Sequence, residues 1–372
     1  MRIGVPREIK IQEYRVGLTP SSVREIVHHG HQVVVETGAG LGANFDDADY
    51  LAVGAEIAPD AAAVFAAADM IVKVKEPQAQ EFPLLREGQI LFTYLHLAAA
   101  RDVAEALMAA GSVGIAYETV TDRHGGLPLL APMSEVAGRL AIQVGAHCLE
   151  KESGGRGVLL GGVPGVEAAD VVVIGGGVAG TNAVRMAMGM EARVTVLDRS
   201  LDRLRELDMQ FGPTLNTIYS TVDALERYVL AADLVVGAVL VPGAAAPKLV
   251  TAEMVRAMRR GAVLVDIAID QGGCFETSHP TTHDDPTFIV DEVVHYCVAN
   301  MPAAVARSST AALNNATLPF VLALADKGYR AALQENPDFR AGLNVLGGAV
   351  AHAAVAEALG CSYSPAEDAL RG

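Results

Sequence analysis

The chain has no tryptophan, and aromatic residues make up only 5% of its 372 positions. A core built on large rings is excluded, so the 51% hydrophobic content comes mainly from Ala, Val, Leu and Ile. That mix suits tightly packed α/β layers whose parallel strands are buried on both faces. Cationic side chains are scarce too: 28 Lys and Arg stand against 44 Asp and Glu, a formal charge of −16. Such a surface repels a phosphate backbone, and with no Lys/Arg stripe nucleic acid is excluded as a partner. The longest uncharged stretches, such as 234–247, are broken by Gly and Pro or rich in Ser, Thr and Asn, whereas a membrane helix needs ~20 mostly apolar residues. The start, Met1-Arg2-Ile3-Gly4-Val5-Pro6, lacks the apolar core of a signal peptide. A cytoplasmic protein is expected. Cysteine is also sparse: Cys148, Cys274, Cys297 and Cys361 show no short paired spacing, which speaks for reduced thiols and against a zinc site or redox dithiol. Cys274 lies in a Gly-rich loop with no base nearby in sequence to activate it.

What is present is alternation. The length exceeds one comfortable core of ~100 to 200 residues, so two domains are expected. Strands over 2–5, 32–36, 70–75, 90–95 and 113–116 alternate with helices over 21–29, 46–53, 60–67 and 101–109, the βαβ pattern of a parallel sheet. Residues 121–132 turn loop-like, a plausible crossing between domains, and a helix over 134–150 follows. The glycine- and proline-rich stretch 153–165 reads as a hairpin, because no helix follows it directly to supply a positive N-terminus. A second series has strands over 170–174, 193–197, 216–219, 233–238 and 262–267 and helices over 177–188, 201–211 and 223–231. The segments 308–325 and 349–359 are Ala-rich and read as helical.

The second series carries a phosphate loop. Val171-Val172-Val173-Ile174 runs into Gly175-Gly176-Gly177-Val178-Ala179-Gly180, which opens a helix. In that context Gly175 permits the tight turn, Gly177 lets the backbone approach a pyrophosphate, and Gly180 lets helix and strand pack closely. Asp198 ends the next strand, 18 residues past Gly180 and near the expected ~20. A carboxylate there accepts from ribose hydroxyls and repels a 2′-phosphate, which favours NAD over NADP. Asp198 could instead cap the following helix, and the adjacent Arg199 keeps NADP open. Ligands of such sheets bind beyond the strands' carboxyl ends, which makes Ser220, Val239, Leu240 and residues 267–270 candidate cofactor contacts.

Arg15, Lys75, His96 and Asp270 stand at loops or strand ends where a cleft between two α/β domains would form. A guanidinium fork suits a substrate carboxylate, though spacing alone favours a surface Arg15. Lys73 and Lys75 alternate, as on a solvated edge. His96 follows an apolar run, as core histidines do, and Asp270 could be a turn or cap residue.

Together these segments resemble the alanine dehydrogenase family along nearly the whole chain. The resemblance is carried by residues 2–6, by Val72-Lys73-Val74-Lys75-Glu76-Pro77, by Ala131-Pro132-Met133-Ser134-Glu135-Val136-Ala137-Gly138-Arg139, by 265–273 and by Val298-Ala299-Asn300-Met301-Pro302. It implies two Rossmann-like α/β domains: 1–130 with 307–372 for substrate, and 131–306 for NAD. It implies substrate binding by Arg15 and Lys75, acid/base chemistry by His96, and assistance from Asp270 near the nicotinamide. It further implies cofactor contacts from Ser134, Val178, Asp198, Arg203, Ser220, Val239, Leu240, Ile267, Asp270 and Met301, and a homohexamer acting on L-alanine, pyruvate and ammonia. Two positions depart from the family pattern. His279 stands where an Arg near the cofactor is familiar, and Lys327 replaces a His that would hold magnesium with Glu118, so no metal is expected. The rival readings are the NAD-binding subunit of a proton-translocating transhydrogenase and a pure NAD-sensing module.

Overall fold

The computed structural model describes residues 1–239 and 246–371. The chain divides into two compact units, Met1–Met133 with Val305–Gly372, and Ser134–Ala304. Each is built on one mostly parallel sheet, as the alternation predicts.

The first unit holds β1 (Arg2–Val5), β2 (Gln32–Glu36), β3 (Glu56–Ala58), β4 (Met70–Val72), β5 (Ile90–Thr93) and β6 (Val113–Ala116). The second holds β7 (Asp170–Ile174), β8 (Arg193–Asp198), β9 (Leu215–Tyr219), β10 (Leu234–Gly237), β11 (Val263–Asp266), β12 (Thr287–Val290) and β13 (Val293–Tyr296). Then β14 (Leu343–Leu346) and β15 (Ala349–Val350) return to the first. The strand orders are β15-β14-β6-β5-β4-β1-β2-β3 and β12-β13-β11-β10-β7-β8-β9. In both, the chain first builds outward in one direction and then returns to build in the other. The order therefore reverses between β1 and β4 in one unit and between β7 and β10 in the other. Such a switch point leaves a crevice at the strands' carboxyl ends.

Local chemistry explains the elements. Most parallel strands are buried along nearly their whole length, which is why they read as continuous apolar runs. The helix Pro20–His28 begins where the Thr19 side chain accepts from the Ser22 amide, with Pro in its first turn. The helix Ala306–Glu335, broken at Gly328, packs along the first unit. Its Asn314 accepts from the Thr19 amide at 2.8 Å and donates to the Gly17 carbonyl at 3.2 Å, fixing the segment just after Arg15. Among the described residues no helix is long and apolar enough to cross a membrane.

Several expectations are corrected. The strand expected over 70–75 ends at Val72. The hairpin expected over 153–165 reduces to one antiparallel bridge, Val163 with Val166. The helix expected over 349–359 is a short strand followed by the helix Ala353–Leu359. Lys73 is no solvated edge residue. It directly follows β4, which lies between β1 and β5, and its ammonium is fully buried, 2.9 Å from Glu81 and 3.4 Å from Glu8. Burial works against that charge, but the two carboxylates outweigh it and hold Lys73 above its ordinary range.

This triad yields a stability prediction. Lys73→Met leaves Glu8 and Glu81 buried without their cation, so urea unfolding should show a loss of about 3 to 5 kcal/mol at neutral pH. The loss should shrink as the pH falls, because protonation neutralises Glu8, whose carboxyl burial already holds above its ordinary range. A loss under about 1 kcal/mol would mean the triad behaves like an exposed pair.

Candidate active site

In the first unit, strand register delivers the site. β1 pairs with β4 so that Gly4 lies beside Ile71, and continuing that pairing brings Glu8 beside Lys75. Glu8 Oε1 accepts from the amides of Val74 at 2.6 Å and Lys75 at 3.3 Å. The carbonyl of Lys75 accepts from Thr93 Oγ1 at 2.9 Å. The backbone carrying the half-buried Lys75 is thus held from both sides.

The same device recurs one strand further on. β5 pairs with β6 with Thr93 beside Ala116, so Glu118 comes to lie beside Leu95. Its carboxylate accepts from the amides of Leu95 at 3.2 Å and His96 at 2.6 Å. His96 lies three residues past the strand end, with φ of 50°. Its imidazole is accessible and stacks on Tyr94, centroids 5.9 Å apart. Tyr94 in turn donates to the Leu129 carbonyl at 2.5 Å. Crowding by protein lowers the His96 pKa from its usual 6.5, and Lys75 lowers it further, against an upward pull from Glu118. A neutral ring, able to take a proton, is favoured at neutral pH.

Arg15 is buried, which overturns the surface reading that spacing alone favoured. Glu13 grips one edge of its fork, accepting from Nε at 2.7 Å and Nη2 at 2.6 Å. Burial opposes the charge, but this pairing outweighs it and holds the guanidinium above its ordinary range. Arg15 also pulls down the phenol of Tyr94, on which burial acts more strongly in the opposite direction. Arg15, Lys75 and His96 therefore share one electrostatic neighbourhood around Tyr94 and Glu118.

In the second unit the glycine loop, Asp198, Ser220, Val239, Ile267 and Asp270 stand at or just past the carboxyl ends of their strands. Gly175, at φ 97°, leaves β7 beside Ala238, which follows β10. A Cβ on Gly180 would lie 1.8 Å from the Gly175 carbonyl oxygen, so the helix Val178–Gly189 packs there only with glycine. Gly177 differs: a Cβ there would meet nothing within 4 Å, and as N-cap it gives that helix no side-chain cap. Other helices of the unit are capped by Ser200, Thr221 and Thr251. The Gly177 helix start instead has open space before it, which suits the phosphates of a dinucleotide.

Register again brings a carboxylate to this loop. Ile174 lies beside Leu197, and Asp198 accepts from the Gly176 amide at 2.7 Å and the Ser200 amide at 2.8 Å. The helix cap is Ser200, so Asp198 is not the cap that sequence left open. Arg203 Nε donates to the Gly176 carbonyl at 2.7 Å, and its Nη2 to Thr181 Oγ1 at 2.7 Å. Val178 is exposed at the helix start, Ser220 follows β9 and Val239 follows β10. Ser134 lies in the first turn of the helix Ala131–Cys148, and Met301 is buried at the start of the turn Met301–Val305. Leu240 lies outside the described residues.

Beyond β11 the turn Ile267–Gln271 carries Ile267 and the exposed Asp270. It is organised by the fully buried Asp266, which accepts from the amides of Ala268 at 3.1 Å and Cys274 at 3.0 Å and from Ser278 Oγ at 2.6 Å. Burial raises the Asp266 carboxyl above its ordinary range while these bonds pull it down. Cys274 is buried, and burial followed by Asp266 pushes its thiol well up, so it is no nucleophile. His279 stacks on Phe288 with centroids 3.7 Å apart. Lys327 donates to Glu335 at 2.5 Å, and among the described residues no group of three or more His, Cys, Asp or Glu side chains is placed to hold a metal. Sequence reasoning missed Glu8, Glu13, Asp266 and Tyr94. Only Asp266 carried a signal, an acidic residue inside the otherwise apolar stretch Val265-Asp266-Ile267.

Two switch-point sheets, one with an uncapped glycine-loop helix and the other with a Lys, His and Arg cluster, define the class of a dinucleotide-dependent oxidoreductase. Comparison with known proteins gives the family. Residues 4–137 match the N-terminal domain and residues 141–353 the C-terminal domain of the alanine dehydrogenase/PNT family, and the chain belongs to that family. It is 61% identical over 363 residues to the alanine dehydrogenase of Halomonas elongata, covering 98% of each chain. A solved L-alanine dehydrogenase superposes with a TM-score of 0.94 at 52% identity, covering 97% of this chain and 99% of that one. A transhydrogenase structure from Sinorhizobium meliloti is more distant, at 26% identity and a TM-score of 0.83 over 95% and 100% of the two chains.

The glycine loop gives the second prediction. Gly177→Val fits the protein alone but fills the space before the helix start, so NADH affinity should fall by about 100-fold or more while the melting temperature stays near wild type. Unchanged affinity in a folded variant would remove the phosphates from this loop.

Proposed function

We propose that this chain catalyses the reversible oxidative deamination of L-alanine to pyruvate and ammonia, with NAD as the redox partner. The observation that carries the reading is the grouping of Arg15, Lys75 and His96 at the switch-point strand ends of the first unit, in a chain of the alanine dehydrogenase family. On this reading residues 1–130 with 307–372 serve the substrate, and 131–306 serve the cofactor.

Each residue receives a role from its chemistry. The Arg15 guanidinium, oriented by Glu13, binds the alanine carboxylate. The Lys75 ammonium faces the oxygen that becomes the keto group of pyruvate. His96 exchanges protons at the substrate nitrogen and at the water oxygen that replaces it, which an imidazole does near neutral pH without large tuning. Asp270 assists beside the nicotinamide. Gly175, Gly177, Val178 and Gly180 would cradle the pyrophosphate, and Ser134, Arg203, Ser220, Val239, Ile267 and Met301 would line the rest of the cofactor site, with Leu240 added as a contact by the family resemblance alone. A bound NAD would supply the acceptor for the hydride of the alanine Cα. Water adds to the resulting iminium and ammonia departs, leaving the ketone. The Asp198 carboxylate favours NAD over NADP, and the family resemblance supports a cytoplasmic homohexamer.

NADH consumption with pyruvate plus ammonium, with NADPH in parallel, tests the activity directly, and absence of turnover would overturn it. His96→Ala should keep NADH affinity and lose about 10² to 10⁴ in kcat. Because the His96 pKa lies below 6.5, the acid limb of kcat/KM for alanine should also lie below that pH, and near-wild-type turnover in the variant would pass the proton role elsewhere. Asp198→Ala loses a charge-assisted bond to ribose and the repulsion of a 2′-phosphate, so the NAD to NADP ratio of kcat/KM should fall by about 10- to 100-fold. An unchanged ratio would leave Asp198 as a loop anchor only.

A further inference from the structure

His96 is held in a backbone conformation that a non-glycine residue rarely adopts, at φ 50°. Such a conformation persists only where the surroundings over-determine it. The ring is steadied by Tyr94, and the His96 carbonyl accepts from the Ala99 amide at 2.9 Å, closing a turn just beyond it. Neither contact supplies an acceptor for the amides on the strand side. That acceptor is Glu118, whose Oε1 lies 2.6 Å from the His96 amide and whose Oε2 lies 3.2 Å from that of Leu95. It stands in the turn Tyr117–Thr119, directly after β6, where the pairing of Thr93 with Ala116 sets it beside Leu95.

We propose that Glu118 is a positioning residue for the reaction: by accepting the Leu95 and His96 amides it holds His96 in the left-handed conformation that aims its imidazole at the substrate. The inference rests on the alanine dehydrogenase reading above. It assigns Glu118 no contact with substrate. Its whole contribution passes through His96, and that fixes how it is tested.

The experiment is a double-mutant cycle on the full-length protein: wild type, Glu118→Ala, His96→Ala and the double variant, each assayed for alanine oxidation, NADH affinity and melting temperature. Misplacing a reacting group by about 1 Å can cost about 100-fold, so Glu118→Ala should lose about 10- to 100-fold in kcat with NADH affinity unchanged. In the His96→Ala background the same substitution should cost almost nothing more, because the group it positions is gone. Glu118→Gln keeps the shape and one acceptor oxygen and should recover part of the loss. Should Glu118→Ala fail to fold, the cycle is run with Glu118→Gln and the same non-additivity is expected. Equal losses in both backgrounds, or near-wild-type kcat in the Glu118 variants, would overturn the proposal. A wild-type protein that does not oxidise alanine would instead overturn the functional reading on which it rests.

Discussion

Where a parallel strand ends, its last amides point past the sheet and must find an acceptor or water. This chain repeatedly supplies a carboxylate, and it does so by register. Pairing of β1 with β4 sets Glu8 at the amides of Val74 and Lys75, pairing of β5 with β6 sets Glu118 at those of Leu95 and His96, and pairing of β7 with β8 sets Asp198 at that of Gly176. Each carboxylate thereby anchors the backbone just past a strand end, where Lys75, His96 and the glycine loop stand next to it. Functional groups need this kind of second layer, since a side chain on an unsupported loop wanders by more than catalysis tolerates.

The arrangement also manages charge. Buried carboxylates are costly unless amides, hydroxyls or cations offset them. Asp266 is satisfied by amides and Ser278, whereas Glu8 shares Lys73 with Glu81. Arg15 and Glu13 form a pair that takes a cation into the interior without leaving it uncompensated.

Much of the fold was legible in the sequence, for reasons that are local. The strand-turn-helix at 171–180 is visible because each glycine's role is decided within a few residues, and the apolar runs mark buried parallel strands because burial on both faces erases alternation. The carboxylate anchors were not legible. Their partners are amides, which every residue but proline carries, and they lie 66 residues apart for Glu8 and Val74 and 22 for Glu118 and His96. Lys73 was misread because alternation with Lys75 looks like an edge, and only the strand order, with β4 between β1 and β5, makes that position interior. The candidate reacting groups were found through family resemblance, since a lone His or Arg carries no such information in its spacing.

Hydride transfer from the alanine Cα directly to NAD is the core of the proposed function. Oxidation of L-alanine deuterated at Cα, followed by mass analysis of the reduced cofactor, tests it most directly. Each NADH formed should carry one deuterium, with pyruvate and ammonia released in equal amounts. NADH carrying no deuterium, or no reduction of NAD in the presence of alanine, would contradict it.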